Sequence, residues 1–261
     1  MKELQRLQLP HLSDRFPSEY DKIALAEVDS TNAYAARVVN DLNRPTWILG
    51  LIQTAGRGRR GRKWVSTEGN FAATLVLFAQ ETPQTLALRS FVASLALLEA
   101  LVIVTGHSDF FSLKWPNDVL LNGGKIAGIL LETLSLETDQ KALSIGVGVN
   151  LIAAPDMSQV EPNATPPVSL FAATGAQIAP EKFLGYFADC YATREAEFVQ
   201  NGFHPIRKAW LDHATRLGES ITARLPNREI SGRFDTIDEK GHLVLKTAQG
   251  KEVIAAADVF F

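Results

Sequence analysis

The chain has 261 residues, 46% of them hydrophobic, and a formal net charge of −3. That is the composition of an ordinary soluble globular protein, able to bury a substantial core in one large domain or a large one with a small companion. The single cysteine, Cys190, excludes an intrachain disulfide framework and fits a reducing compartment, where it serves as a small apolar packer.

From the N-terminus, the first strand is expected over Ile23 to Val28, followed by the cap cluster Asp29-Ser30-Thr31 and a helix over Asn32 to Leu42, with Tyr34, Val38 and Leu42 on related faces. Apolar runs predict strands over Trp47 to Ile52 and Phe71 to Phe78. Thr82-Pro83 opens a helix that runs to about Val104 and stops at Gly106. The longest apolar stretch, Ser90 to Val104, is interrupted by Glu99 and too short to span a bilayer, and no N-terminal segment has a signal-peptide pattern. A cytoplasmic protein with no membrane contact is the expectation. Further strands are predicted over Phe111 to Trp115, Val119 to Leu121, Ile126 to Thr133 and Leu143 to Val149, with Asn122-Gly123-Gly124 as a hairpin signal. Residues 153 to 169, with Pro155, Pro162, Pro166 and Pro167, read as a long surface loop, and helices follow over Pro180 to Gln200 and about Pro205 to Leu217. From Glu219 the pattern changes to short strands over Ile221 to Leu225, Ile230 to Phe234, Leu243 to Leu245 and Val253 to Ala255, a small β-barrel or sandwich too short for a large core of its own. The domain organisation is therefore 1–217 for the main unit and 218–261 for a small one packed against it.

Positions 56 to 63 hold five cations and three glycines in a chain of negative net charge. Such a stretch repels itself and is expected to be mobile until a phosphate, carboxylate or other polyanion arrives. Gly56-Arg-Gly-Arg-Arg-Gly61 also satisfies the G-x-G-x-x-G pattern of a dinucleotide-binding turn. A β-like run rather than a helix follows it, so the context that turn requires is missing. The bland reading is a solvated basic loop.

A second polar cluster, Lys114-Trp-Pro-Asn-Asp118 with Lys125 opening the apolar run from Ile126, lies in an otherwise buried-looking β region. As a plain strand-edge turn it would use Pro116, Asn117 and Asp118 as turn residues and Lys125 as an edge guard. Gly128 in one strand and the glycines of Ile145-Gly-Val-Gly-Val-Asn150 in another give up packing, which favours a ligand cavity over a solid core.

Four motifs in order, Ser30-Thr31-Asn32, Gln53 through Trp64, Lys114 through Asp118 with Lys125 through Leu130, and Gly146-Val-Gly-Val-Asn150, give the chain a resemblance to the biotin protein ligases, strong over about residues 25 to 152. The resemblance implies an α+β fold, a mixed sheet flanked by helices related to class II aminoacyl-tRNA synthetases and lipoate ligases, with a small C-terminal SH3-like barrel. It implies the substrates biotin and ATP, with Mg²⁺ arriving on the nucleotide and no metal site of the protein's own. It also implies transfer of biotin to a lysine of the biotin carboxyl carrier domain of acetyl-CoA carboxylase and of other biotin-dependent carboxylases. The enzyme would act as a monomer or homodimer.

By the same resemblance, Ser30, Thr31, Asn32 and Gln53 would form the biotin site with Gly56, Arg57, Arg59, Lys125, Gly128 and Gly148. The two strand glycines would leave room for the ligand. Arg57, Arg59, Arg60, Arg62, Trp64, Lys114, Asn117 and Asn150 would hold ATP, Trp64 stacking near adenine or lining the biotin tail. Lys125, Arg59 and Asp118 would be catalytic: Lys125 at the reacting carboxylate and α-phosphate, Arg59 retaining the adenylate, Asp118 as base for the incoming amine. Concentrated guanidinium forks suit a reaction in which a carboxylate approaches a polyphosphate. Only about 22 residues precede the first strand, too few for the helix-turn-helix module of some relatives, so DNA binding is not expected. None of His11, His107, His204, His213 and His242 has zinc-ligand spacing. A lipoate or related acyl ligase would share the fold and Lys125, and a nucleic-acid module would use the basic loop alone.

Overall fold

The computed structural model describes residues 16–137, 141–161 and 164–261; His11 and Pro162 lie outside them. The main unit runs β1 (Asp21–Val28), α1 (Thr31–Val38), β2 (Thr46–Gln53), β3 (Phe71–Phe78), α2 (Pro83–Ala87), α3 (Arg89–Thr105), β4 (Phe111–Lys114), β5 (Asp118–Leu121), β6 (Gly124–Ser135), β7 (Lys141–Val149), α4 (Leu170–Thr174), α5 (Pro180–Asn201) and α6 (Phe203–Asp212). Its sheet has seven strands in the order β1-β2-β3-β7-β6-β5-β4, with β1 and β2 parallel and the other neighbours antiparallel.

Alternation along the strands divides the sheet into two faces. Phe71, Ala73, Leu75 and Leu77 of β3, with Ile145, Val147 and Val149 of β7, join the core built against α3, α5 and α6. Trp47 of β2 is the hub there, edge-on to Phe187 and Tyr191 of α5 at 5.1 and 5.8 Å. The other face carries a smaller cluster in which Leu25, Val28, Ile48 and Val76 meet Tyr34, Ala35 and Val39 of and beside α1. Helical cover on this side ends with α1, and the sheet beyond it forms the floor of a cleft.

The apolar helix is longer than the Ser90–Val104 stretch: Pro83–Thr105, 23 residues bent at Leu88, is long and apolar enough by length and composition to cross a membrane. Its residues face α5, α6 and the sheet, so the apolarity serves a core helix. Gly106, at φ 75°, ends it with an N–H donated to the Val102 carbonyl. The hairpin between β5 and β6 turns on Asn122 (φ 49°) and Gly123 (φ 81°), two successive left-handed residues that suit the twist of the flanking strands. The helix after β1 is shorter than expected, closing in a 3₁₀ turn at Val39–Asp41, and α6 stops at Asp212. Sequence reading missed α4, a single turn capped by the Ser169 hydroxyl.

The C-terminal sheet comprises β8 (Ser220–Arg224), β9 (Glu229–Ile237), β10 (Leu243–Thr247), β11 (Gly250–Ile254) and β12 (Asp258–Phe260), in the order β11-β10-β9-β8-β12. It is antiparallel and barrel-like, with a register irregularity at Val244/Leu245. The strand β12 was not foreseen. Ile221, Phe234, Leu243 and Leu245 belong to the same core as the main sheet, and Trp115 Nε1 donates to the Gly241 carbonyl at 3.0 Å. The small sheet is thereby fixed beside the end of β4, where it walls the cleft.

Candidate active site

The cleft floor is made by register. Across β3, β7 and β6, Thr74 pairs with Gly146 and Gly146 with Leu130; two residues along, Ala72 pairs with Gly148 and Gly148 with Gly128. Two such rows lie about 7 Å apart on one face. A Cβ on Gly146 would sit 2.9 Å from Asn32 Cγ, and one on Gly148 only 2.5 Å from Trp64 Nε1. The glycines therefore make room for Asn32 and for the Trp64 indole. At Gly128 the added carbon would meet Trp64 at an ordinary 3.4 Å. Above this floor is a cleft of about 360 Å³.

At the Asn32 row the lining is uncharged and polar. Ser30, Thr31 and Asn32 are buried at the start of α1. Ser30 occupies the N-cap with its hydroxyl unused by the helix. The Thr31 N–H donates to Gln53 Oε1 at 2.9 Å, and the Thr31 hydroxyl lies 3.2 Å from the same oxygen. Asn32 Nδ2 donates to Glu132 Oε2 at 2.7 Å, while its Oδ1 lies 2.6 Å from the Thr74 hydroxyl.

The basic loop has intrachain partners at its neck, its tip and several of its cations. Its neck is closed by the Trp64 N–H on the Gly56 carbonyl at 2.9 Å, and its tip by the Gly58 N–H on the Arg62 carbonyl at 2.8 Å. Between them Arg59–Gly61 make one 3₁₀ turn in which Arg60 adopts φ 56°. That left-handed residue sends successive arginines to different partners. Arg59 Nη1 donates to Asn117 Oδ1 at 3.2 Å inside the cleft. Arg60 and Arg62 both reach Asp258 Oδ2 on β12, at 2.7 and 2.5 Å, and Arg62 also meets Glu161 at 2.7 Å. Arg57 stands 3.6 Å from Glu132. Burial raises the Asp258 pKa, but the Arg62 hydrogen bond and charge, with Arg60 and Arg59, outweigh it and hold the carboxyl below its ordinary range. Burial lowers that of Arg59.

The turn between β4 and β5 and the start of β6 supply the next group. Lys125 Nζ is 2.7 Å from Asp118 Oδ1 and 5.9 Å from the Trp64 ring. Lys114 is buried, donates to Thr165 Oγ1 at 2.6 Å and sits 4.8 Å from the Phe261 ring. Burial pushes its pKa down, with Asp118 opposing and Lys125 assisting. Asn117 Nδ2 anchors on the Ile129 carbonyl, and Asn150 Nδ2 on that of Val168. The backbone of Lys125 is itself clasped, its N–H on the Pro166 carbonyl and its carbonyl receiving the Val168 N–H.

Of the residues predicted for the site, Gly56 and Arg60 do not line the cleft: Gly56 closes the loop neck and Arg60 turns outward to Asp258. Arg62 lines it, yet its guanidinium is held by two carboxylates. The rest, Ser30, Thr31, Asn32, Gln53, Arg57, Arg59, Trp64, Lys114, Asn117, Asp118, Lys125, Gly128, Gly148 and Asn150, share the one cleft. Sequence reading missed Thr74, Glu132, Glu161, Thr165 and Asp258. A threonine within the apolar run Phe71–Phe78 was a usable signal, since a buried hydroxyl needs a partner. Nothing in the sequence links Asp258 to arginines about 200 positions earlier.

Comparison with known proteins places these features among relatives. The Biotin/lipoate A/B protein ligase family model matches residues 25–150 and the Biotin protein ligase C terminal domain model residues 217–261. A biotin–[acetyl-CoA-carboxylase] ligase of Paracoccus denitrificans is 50% identical over 237 residues, which cover 91% of this chain and 99% of that protein. A bifunctional ligase/repressor of Bacillus subtilis is 33% identical over 245 residues, 89% of this chain and 71% of that one. The solved biotin protein ligase from Aquifex aeolicus in complex with biotin and ATP superposes with a TM-score of 0.78 at 28% identity, covering 92% of this chain and 98% of that chain.

Proposed function

The chain belongs to the biotin protein ligase family, and on that premise we propose that it activates biotin with ATP to biotinyl-5'-AMP and transfers the biotinyl group to a lysine of a biotin carboxyl carrier protein. One observation carries the reading beyond family membership. A single cleft joins an uncharged polar group at Thr31 and Gln53, an indole over a glycine floor, and a cluster of cations at Arg57, Arg59, Lys114 and Lys125. A cyclic urea, an aliphatic tail and a carboxylate meeting a triphosphate present that same succession of chemistries.

In the first half-reaction a biotin carboxylate oxygen attacks the α-phosphorus and pyrophosphate leaves. Lys125 and Arg59 offset the charge that gathers as the two anions meet. When they arrive Lys125 turns from Asp118 to them. In the second half-reaction the amine of the carrier lysine attacks the acyl carbonyl, and AMP departs. Asp118, released from its ion pair, takes the proton that the ammonium must lose. Trp64 covers the floor on which the acyl chain lies. Magnesium enters as part of MgATP. The 218–261 unit supports this chemistry by holding the loop through Asp258. We place the enzyme in the cytoplasm with its carboxylase substrate; its apolar helix is a buried core element.

The test is pyrophosphate release with biotin and MgATP, with lipoate as the competing acid, followed by label transfer to a carrier domain. Biotin-dependent release and transfer are expected. Release with lipoate and none with biotin would assign the cleft to another acyl acid.

A further inference from the structure

We propose that Glu132 and Thr74 are positioning residues that fix the direction of hydrogen bonding at the polar end of the cleft, keeping the Thr74 proton off Thr31 so that Thr31 presents an acceptor beside the donor of Gln53. The inference deepens the biotin reading and rests on it for the choice of ligand. It starts from what a carboxylate can do: Glu132 only accepts. Asn32 approaches Glu132 Oε2 at 2.7 Å, so its amide nitrogen faces the carboxylate and its Oδ1 faces Thr74. That oxygen only accepts, so the one proton of the Thr74 hydroxyl, 2.6 Å away, is committed to it. Thr31 Oγ1, 2.8 Å distant and the other acceptor that proton could reach, is thereby spared.

The Thr31 hydroxyl proton goes to Gln53 Oε1, which also takes the Thr31 N–H. That proton points away from the ligand space, and Thr31 Oγ1, spared by Thr74, offers lone pairs to the cleft. Gln53 turns its oxygen to Thr31, which leaves Nε2 as a donor. An acceptor beside a donor complements a cyclic urea, in which N–H donors flank a carbonyl acceptor. With glutamine at 132 the neighbour can donate or accept, Asn32 can stand either way round, and the Thr74 proton is free to turn to Thr31 Oγ1 and occupy the lone pair offered to the ligand. Glu132 also lies 3.6 Å from Arg57, so a role confined to loop charge must be separable. Among the described residues the Thr74 hydroxyl is hydrogen-bonded to Thr31 and Asn32 and to no loop cation, and its replacement makes that separation.

The experiment measures biotin binding by calorimetric titration without ATP for the wild type, Glu132→Gln, Thr74→Val and the double variant, with Thr74→Ser and Glu132→Asp as conservative controls. Each of the first two is expected to weaken biotin at least about tenfold, the double no more than about twofold beyond the weaker single because one relay is cut at two points. Thr74→Ser should bind like wild type and Glu132→Asp should recover part of the loss. The preference for biotin over 2-iminobiotin, whose carbonyl oxygen is replaced by nitrogen, should narrow in Glu132→Gln, while the KM for ATP stays unchanged. Wild-type biotin affinity in Thr74→Val, additive losses, or a change in the KM for ATP alone would overturn the relay; melting curves of the same variants show whether a loss is merely instability. If the wild type itself gives no biotin heat yet releases pyrophosphate with another acid, the biotin reading fails and the relay is judged by the same variants on that acid.

Discussion

Replacing Lys125 with alanine should nearly abolish biotin activation and leave the fold intact. The ammonium lies 2.7 Å from Asp118 and is 31% exposed. Two unit charges about 4 Å apart at an effective dielectric of about 20 interact by about 4 kcal/mol. In the proposed reaction one cation faces a carboxylate and a phosphate together, and alanine leaves Asp118 repelling both. Water and the neighbouring arginines screen part of this, so about 3 kcal/mol of transition-state stabilisation is lost, or roughly 10²-fold in rate. Pyrophosphate release from a soluble variant with a wild-type melting curve reads the effect. The competing role, a charge that guards a strand edge, predicts aggregation or a small stability change with ordinary turnover. Since Pro166 and Val168 already pair the backbone of Lys125, that edge is covered. Near wild-type release would nevertheless refute the catalytic assignment.

Arg59→Gly should impair retention of the adenylate more than biotin binding, because Thr31 and Gln53 remain; labelling of bystander lysines by released adenylate reports it, and labelling still confined to the carrier protein counts against it. Gly148→Ala should lift the Trp64 indole by roughly 1 Å, since carbon contacts need about 3.5 Å, and cost up to about 10²-fold in kcat/KM, whereas Gly128→Ala should be much milder; equal effects of the two would refute the packing argument. Asp258→Asn should speed trypsin cleavage at Arg60 and Arg62 and raise the KM for ATP, and equal cleavage rates in variant and wild type would remove Asp258 as the loop's anchor. The depressed native pKa of Asp258 means that its contribution to stability is present above the unfolded value of about 3.9 and disappears as pH falls through the native one. Acid titration of the wild type should therefore show a loss that the Asp258→Asn variant lacks.

The strands were legible because period-two apolar patterns and turn residues are local. Phe71–Phe78 matches its predicted bounds, and Asn122-Gly123 marks its hairpin through a backbone preference that those two residues carry alone. The site was legible where polar residues interrupt apolar runs, as at Lys114–Asp118 and Lys125. What escaped was pairing across long chain separations. The glycines at 146 and 148 announced a cavity correctly, but nothing in the local sequence says that the Asn32 amide and the Trp64 indole occupy the space they clear.

The same limit explains the basic loop. Its composition, five cations in eight positions, argues for self-repulsion, and the argument is sound for the segment in isolation. In the fold, Asp258 of β12 and Glu161 bring carboxylates from about 100 to 200 positions along the chain to two of those cations, while a single left-handed residue, Arg60, turns one arginine away from the next. The loop's charge is thus divided. Arg60 and Arg62 are used to hold the loop in place, and Arg59, half-buried beside Asn117 with no carboxylate hydrogen-bonded to it among the described residues, keeps its charge available to a bound anion. Neutralising Asp258 should for that reason harm catalysis through loop placement and leave the charge of Arg59 untouched, which is why its expected signature is a raised KM for ATP and faster proteolysis rather than the collapse in turnover expected of Lys125→Ala.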